Sequence, residues 1–80
     1  MKVLLFGRLR DLAGWRESEV TPAPATLAEL RRVIGERWPE LAEALAGPGV
    51  QAAVNRALVR GDAPLSASAE VAFMPPMSGG

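Results

Sequence analysis

Few groups in this chain can do chemistry. It has no histidine, no cysteine and no tyrosine. General acid–base catalysis usually falls to His, and nucleophilic catalysis to Cys, Ser or Lys beside a base. Ser18, Ser66, Ser68 and Ser78 have no His to activate them, and Lys2 sits at the head of an apolar run. The acids are scattered singly, with no spacing that would build a metal cage. A self-sufficient enzyme is not what these residues lead one to expect. What is left is the carboxylate of Gly80, at the end of Glu70-Val-Ala-Phe-Met-Pro-Pro-Met-Ser-Gly-Gly80.

That stretch reads as a device for presenting its own end. Val71 to Met74 is an apolar run suited to a buried strand. Pro75 and Pro76 have no backbone N–H, so they stop a sheet ladder and hold the chain extended. Ser78, Gly79 and Gly80 carry little or no side chain. Such a segment can thread a narrow channel and approach another backbone closely. A frayed terminus accounts for two glycines, but not for a strand, two prolines and a small residue in that order before them. The expected division is a domain over 1–74 and an extended tail over 75–80.

The elements that must position this tail follow from length and pattern. Eighty residues, 49% of them hydrophobic, make one small folded domain. The net charge is zero, so nothing argues for nucleic acid or an anionic membrane as partner. The first apolar run is too short for a membrane span or a secretion signal, and a cytoplasmic location is expected. The absence of cysteine rules out disulfides.

Lys2 to Leu9 reads as a central strand, apolar on both faces. Arg8 to Gly14 is a polar stretch with helical character, closed by Gly14. Trp15 to Val20 returns as a mostly polar edge strand. After the Thr21–Ala25 connector, Thr26 with Glu29 three residues on is a capping-box start. Leu27, Leu30, Ile34 and Trp38 fall on one helical face with Val33 beside them, and Arg31, Arg32, Glu36 and Arg37 are expected on a solvated face. Pro39 ends that helix. Glu40 to Ala46 is a second, short helix stopped by Gly47-Pro-Gly. Val50 to Asn55 is a strand, and Asn55-Arg56-Ala57 a tight turn into Leu58 and Val59. Leu65 is expected to plug the core before the last strand.

The order β-β-α-β-β-β around one main helix predicts an α+β fold of the β-grasp, or ubiquitin-like, kind. A mixed sheet of about five strands would pack on the helix, with the last strand parallel to the first at its centre. One helix covers one face of a sheet. Leu4 and Phe6 alternate with Val3 and Leu5, and Ala72 and Met74 with Val71 and Phe73. Whichever set faces the helix, apolar side chains remain on the other face. An apolar face beside a projecting tail reads as a protein-binding surface.

At this point the residues resemble a known family. Ala53-Val-Asn-Arg-Ala-Leu-Val59, the Phe73-Met-Pro-Pro-Met-Ser-Gly-Gly80 tail and the opening Val3–Gly14 are similar to the small, sulfur carrier subunits of molybdopterin synthase, relatives of ubiquitin. The similarity runs over essentially the whole chain. It departs at Ser66-Ala-Ser-Ala69, where that family usually carries an Asp-Gly-Asp-like turn. The resemblance implies a non-autonomous subunit of a sulfurtransferase. An adenylyltransferase related to ubiquitin-activating enzymes would use ATP to adenylate Gly80, and a sulfur donor protein would supply the atom that makes the thiocarboxylate. The large subunit, in a heterotetramer, would hold the acid–base residues and the pocket for cyclic pyranopterin monophosphate, which becomes the molybdopterin dithiolene. No cofactor would be bound by this chain.

By position, the resemblance makes Gly80 the sulfur-bearing residue and Gly79, Ser78, Pro75 and Pro76 the threading segment. Phe6, Leu58, Phe73, Met74 and Met77 would be apolar contacts to partners, and Arg10 a polar one. Three other readings stand beside this one: a thiamine-pathway sulfur carrier, a ubiquitin-like protein modifier, and an interaction module with an inert tail. Pro75-Pro76 favours the molybdopterin member over the thiamine one.

Overall fold

The structure, a computed structural model, describes residues 1–76. Its elements are β1 (Lys2–Leu5), α1 (Arg8–Ala13), β2 (Glu17–Glu19), α2 (Leu27–Arg37), α3 (Pro39–Ala46), β3 (Gln51–Val54), β4 (Ala57–Val59) and β5 (Glu70–Met74). The five strands form one sheet in the order β2-β1-β5-β3-β4. β5 lies at the centre, parallel to β1 and antiparallel to β3. This is the expected β-grasp arrangement.

β1 is shorter than its apolar run. Gly7 takes φ 56° and ψ −131°, which turns the chain out of the sheet and into α1. Leu9 is therefore a buried helical residue, not the end of a strand. α2 begins as its sequence indicates, with Thr26 Oγ1 accepting from Glu29 N at 3.2 Å. The Glu29 carboxylate does not reach back to close the box but lies 3.7 Å from Arg32. A second free N–H of this helix start, on Ala28, donates instead to Asp62 Oδ1 at 2.8 Å. Pro39 ends α2 and also serves as the first residue of α3, where its missing N–H costs nothing.

Asn55 and Arg56 both have positive φ, as a two-residue hairpin turn requires. Asn55 also anchors the start of β5: its N donates to Glu70 O at 2.8 Å, and Glu70 N donates to its Oδ1 at 3.0 Å. The Ser66–Ala69 link closes without Asp or Gly, by Ala69 N donating to Ser66 O at 3.0 Å. Leu65 packs against the core, as expected.

The core joins Val3, Leu5, Ala52, Val71 and Phe73 of the sheet to Leu9 of α1, Leu27, Leu30 and Ile34 of α2, and Leu41 and Leu45 of α3. All three helices thus cover one face of the sheet. Arg31 is not on a solvated face: its guanidinium lies 5.8 Å from the centre of the Phe73 ring. No helix among the described residues is long and apolar enough to cross a membrane.

Candidate functional site

Strand alternation decides which side chains the helices leave bare. Across the uncovered face the pairing aligns Leu4 of β1, Ala72 of β5, Ala53 of β3 and Leu58 of β4 in one row. Towards the C-terminal end of β5 the next row holds Met74 beside Gln51, with Phe6 just past the end of β1. In the opposite direction lie Lys2, Glu19 and Glu70, where Lys2 Nζ is 3.8 Å from Glu70 and 3.9 Å from Glu17. This face therefore has a charged end and an apolar end, and β5 leaves the sheet at the apolar one. Leu58 is 63% exposed and Phe6 45%. Water-facing area of this kind, gathered in one patch, is what a protein partner covers.

Phe73 does not belong to that patch. It is fully buried on the opposite face, among Leu5, Ala52 and the helices. The expectation that it contacts a partner is corrected by the two-residue period of the strand: Met74, one step on, faces outward and is half-buried. Arg10 is exposed on α1, with its Nε 3.8 Å from Asp11. Met77, Ser78, Gly79 and Gly80 lie outside the described residues.

The root of the tail is built from three chain segments. Phe6 N donates to Phe73 O at 3.2 Å, which carries the β1–β5 pairing one residue past the end of β1. Pro75 then passes Gly7, where an added Cβ would lie 2.9 Å from Pro75 Cγ. Pro76 passes Gly49, where an added Cβ would lie 2.7 Å from Pro76 Cβ. Real side chains do not come so close, so each glycine makes room for a proline ring. On the helix side the root borders a cleft of ≈ 280 Å³ lined by Leu9, Leu12, Ala44, Pro48 and Val50, with Arg8 among its walls.

Sequence reasoning placed Gly49 only as part of a helix stop and did not single out Gly7 or Leu12, which is 39% exposed. The nearness of these residues to the prolines depends on strand order, which a local pattern does not carry. Among the described residues no three acidic, His or Cys side chains come together as a metal site. The arrangement can hold out a chain end and offer a partner an apolar face beside it.

This arrangement is shared with known proteins. The chain is 40% identical over 80 residues to the molybdopterin synthase sulfur carrier subunit of Escherichia coli (strain K12), covering all of this chain and 99% of that one. It is 39% identical over 92 residues to the subunit of the same name from Caenorhabditis briggsae, covering all of this chain and 96% of the other. Among solved structures it resembles SAMP1 from Haloferax volcanii, with TM-score 0.87 and 25% identity over 100% of this chain and 98% of that one. The small archaeal modifier protein 1 from Methanosarcina acetivorans shares the fold, with TM-score 0.86 and 22% identity over 99% and 94%. Residues 3–80 match the ThiS family from the first strand through the last glycine. By that match and by these full-length relatives, the chain belongs to the ThiS family.

Proposed function

We propose that this protein is the sulfur carrier subunit of a molybdopterin synthase, and that the Gly80 carboxylate is its working group. The observation that carries this reading is the full-length likeness to proteins of that name. The placement of the Pro75–Pro76 root beside an uncovered apolar face supports it.

A carboxylate is a poor electrophile because it lacks a leaving group. Attack of the Gly80 carboxylate on the α-phosphorus of ATP, in the active site of an adenylyltransferase, releases pyrophosphate and leaves an acyl adenylate. A persulfide on a donor protein then displaces AMP at the carbonyl carbon and gives an acyl disulfide. A second thiol of the donor cleaves its S–S bond, which frees the thiocarboxylate and leaves the donor as a disulfide. In the second partner, the large subunit, the thiocarboxylate sulfur attacks a side-chain carbon of cyclic pyranopterin monophosphate. A C–S bond forms as a C–O bond at that carbon breaks, its oxygen staying on the opened phosphate in one transfer and leaving as water in the other. Water finally releases the carboxylate from the resulting thioester, and two such transfers make the dithiolene. The acid–base groups come from the partners. On this chain Phe6, Leu58 and Met74 hold each partner in turn, Arg10 adds a polar contact, and Pro75 to Gly79 deliver the end. Assembly with the large subunit as a heterotetramer, in the cytoplasm, is part of the same reading.

The test is intact mass spectrometry after incubation with an activating enzyme, ATP and a sulfur source. A mass gain equal to one oxygen exchanged for sulfur at Gly80 is the expected result. An unchanged mass beside a demonstrably active enzyme would overturn the reading. The fold likeness to SAMP1 favours a second reading, a protein modifier joined through Gly80 to lysines of other proteins. Isopeptide-linked species in cell extracts would mark that role, and their absence alongside thiocarboxylate formation would exclude it.

A further inference from the structure

We infer that Gly7 and Gly49 are positioning residues, a two-sided cradle that fixes the direction in which the tail leaves the domain. The inference rests on the reading of the tail as the working end and names residues which that reading does not use.

β5 is the central strand, so its C-terminal end lies between the end of β1 and the start of β3. Gly7 follows β1 by two residues and Gly49 precedes β3 by two. Both have positive φ, 56° and 80°. Each lies against a different proline: Gly7 against Pro75, Gly49 against Pro76. The proline rings are rigid, and their own φ is fixed near −65°. A Cβ on either side would have to push a ring, and with it the chain that follows. One contact would leave the tail free to pivot. Two contacts, on opposite sides and at successive residues, fix a direction.

Positive φ by itself already favours glycine at these positions, and the contact with a proline ring is a separate feature that other positive-φ glycines lack. Gly14 has φ 81° and Gly61 φ 71°, yet a Cβ at either would meet nothing within 4 Å. Gly14→Ala therefore places a Cβ at nearly the same positive φ as Gly49→Ala, 81° against 80°, without touching the tail. This makes it the internal control.

The experiment measures residual dipolar couplings at the Met77 and Ser78 amides of the isolated full-length chain. Met77 bears the first amide proton after the two prolines. Gly49→Ala and Gly7→Ala are expected to change those couplings while leaving those of β1 and β5 in place, and Gly14→Ala to leave all of them as in wild type. Pro76→Gly, which removes the exposed ring and no core contact, is expected to change them too, so the test survives an alanine variant that does not fold. Unchanged Met77 and Ser78 couplings in the folded variants would overturn the cradle.

With an activating enzyme, ATP–pyrophosphate exchange then reads KM for the chain against kcat. Gly49→Ala is expected to raise KM about tenfold, as it would if the tail pointed in the productive direction about one tenth of the time, with kcat nearly unchanged and Gly14→Ala like wild type. Equal kinetics for Gly49→Ala and Gly14→Ala would count against the cradle. If no variant, wild type included, supports exchange, the functional reading falls, and the couplings still decide whether the glycines steer the tail.

Discussion

Phe73 and Met74 are neighbours in β5 and face opposite ways. Phe73 is sealed in the core under α2, with Arg31 over its ring, while Met74 joins Phe6 on the uncovered face at the root of the tail. One residue holds the strand in place and the next presents it to a partner. Phe73→Ala should cost about 3–5 kcal/mol by urea unfolding, a large part of what a domain of this size has. Met74→Ala should cost less than about 1 kcal/mol and show instead as weaker partner binding. Comparable stability losses at the two positions would contradict the assignment of faces.

Leu58 is the most exposed large apolar side chain in the row that runs from Leu4 through Ala72 and Ala53. Leu58→Asp should leave the thermal melting point within about 2 °C of wild type, because that side chain is largely exposed and outside the buried core. Affinity for the large subunit, read by calorimetry, should fall by about tenfold to a hundredfold, the usual effect of charging the centre of an apolar interface. Unchanged affinity would place the partner elsewhere on the surface.

Gly79→Ala adds one methyl group next to the reacting end. The variant should melt as wild type does, while thiocarboxylate formation and sulfur transfer both fall steeply, because a threaded segment has no room for a Cβ. Full activity of this variant in a reconstituted synthase would refute the channel, though not the carrier role, which the mass measurement decides separately.

The start of α2 is capped from two places, by Thr26 within its own sequence and by Asp62 from a loop 34 residues on. Thr26→Ala and Asp62→Ala should each cost about 1 kcal/mol. The caps satisfy different N–H groups, so the losses should add within about 0.5 kcal/mol in the double variant. A neutral Asp62→Ala would mean that water replaces its carboxylate at no cost.

Several of these relationships are local, and for that reason the order of residues alone reveals them. Thr26 with Glu29 marks a helix start, Asn55 with Arg56 marks a hairpin, and Pro75-Pro76 marks the end of a strand. In each case the signal is a backbone preference of the residue itself. The β-grasp order and the bare apolar face were also readable, because a period of two along Val3–Phe6 and Val71–Met74 leaves apolar side chains on both sides of a sheet that one helical layer covers once. The absence of His and Cys is what makes the Gly80 carboxylate the working group of the proposed function.

Tertiary structure decided the rest. Which of Phe73 and Met74 faces the helices depends on register, and a shift of one residue exchanges them. Asp62 caps α2 from a distant loop and Arg31 lies over Phe73; Gly7 and Gly49 wall two prolines because β5 lies between β1 and β3. Those contacts join residues far apart in the chain, and no local preference encodes them. The two glycine contacts arise because the sheet brings the ends of β1 and β5 and the start of β3 to one place, and the other two because α2 packs against the sheet and the loop before β5.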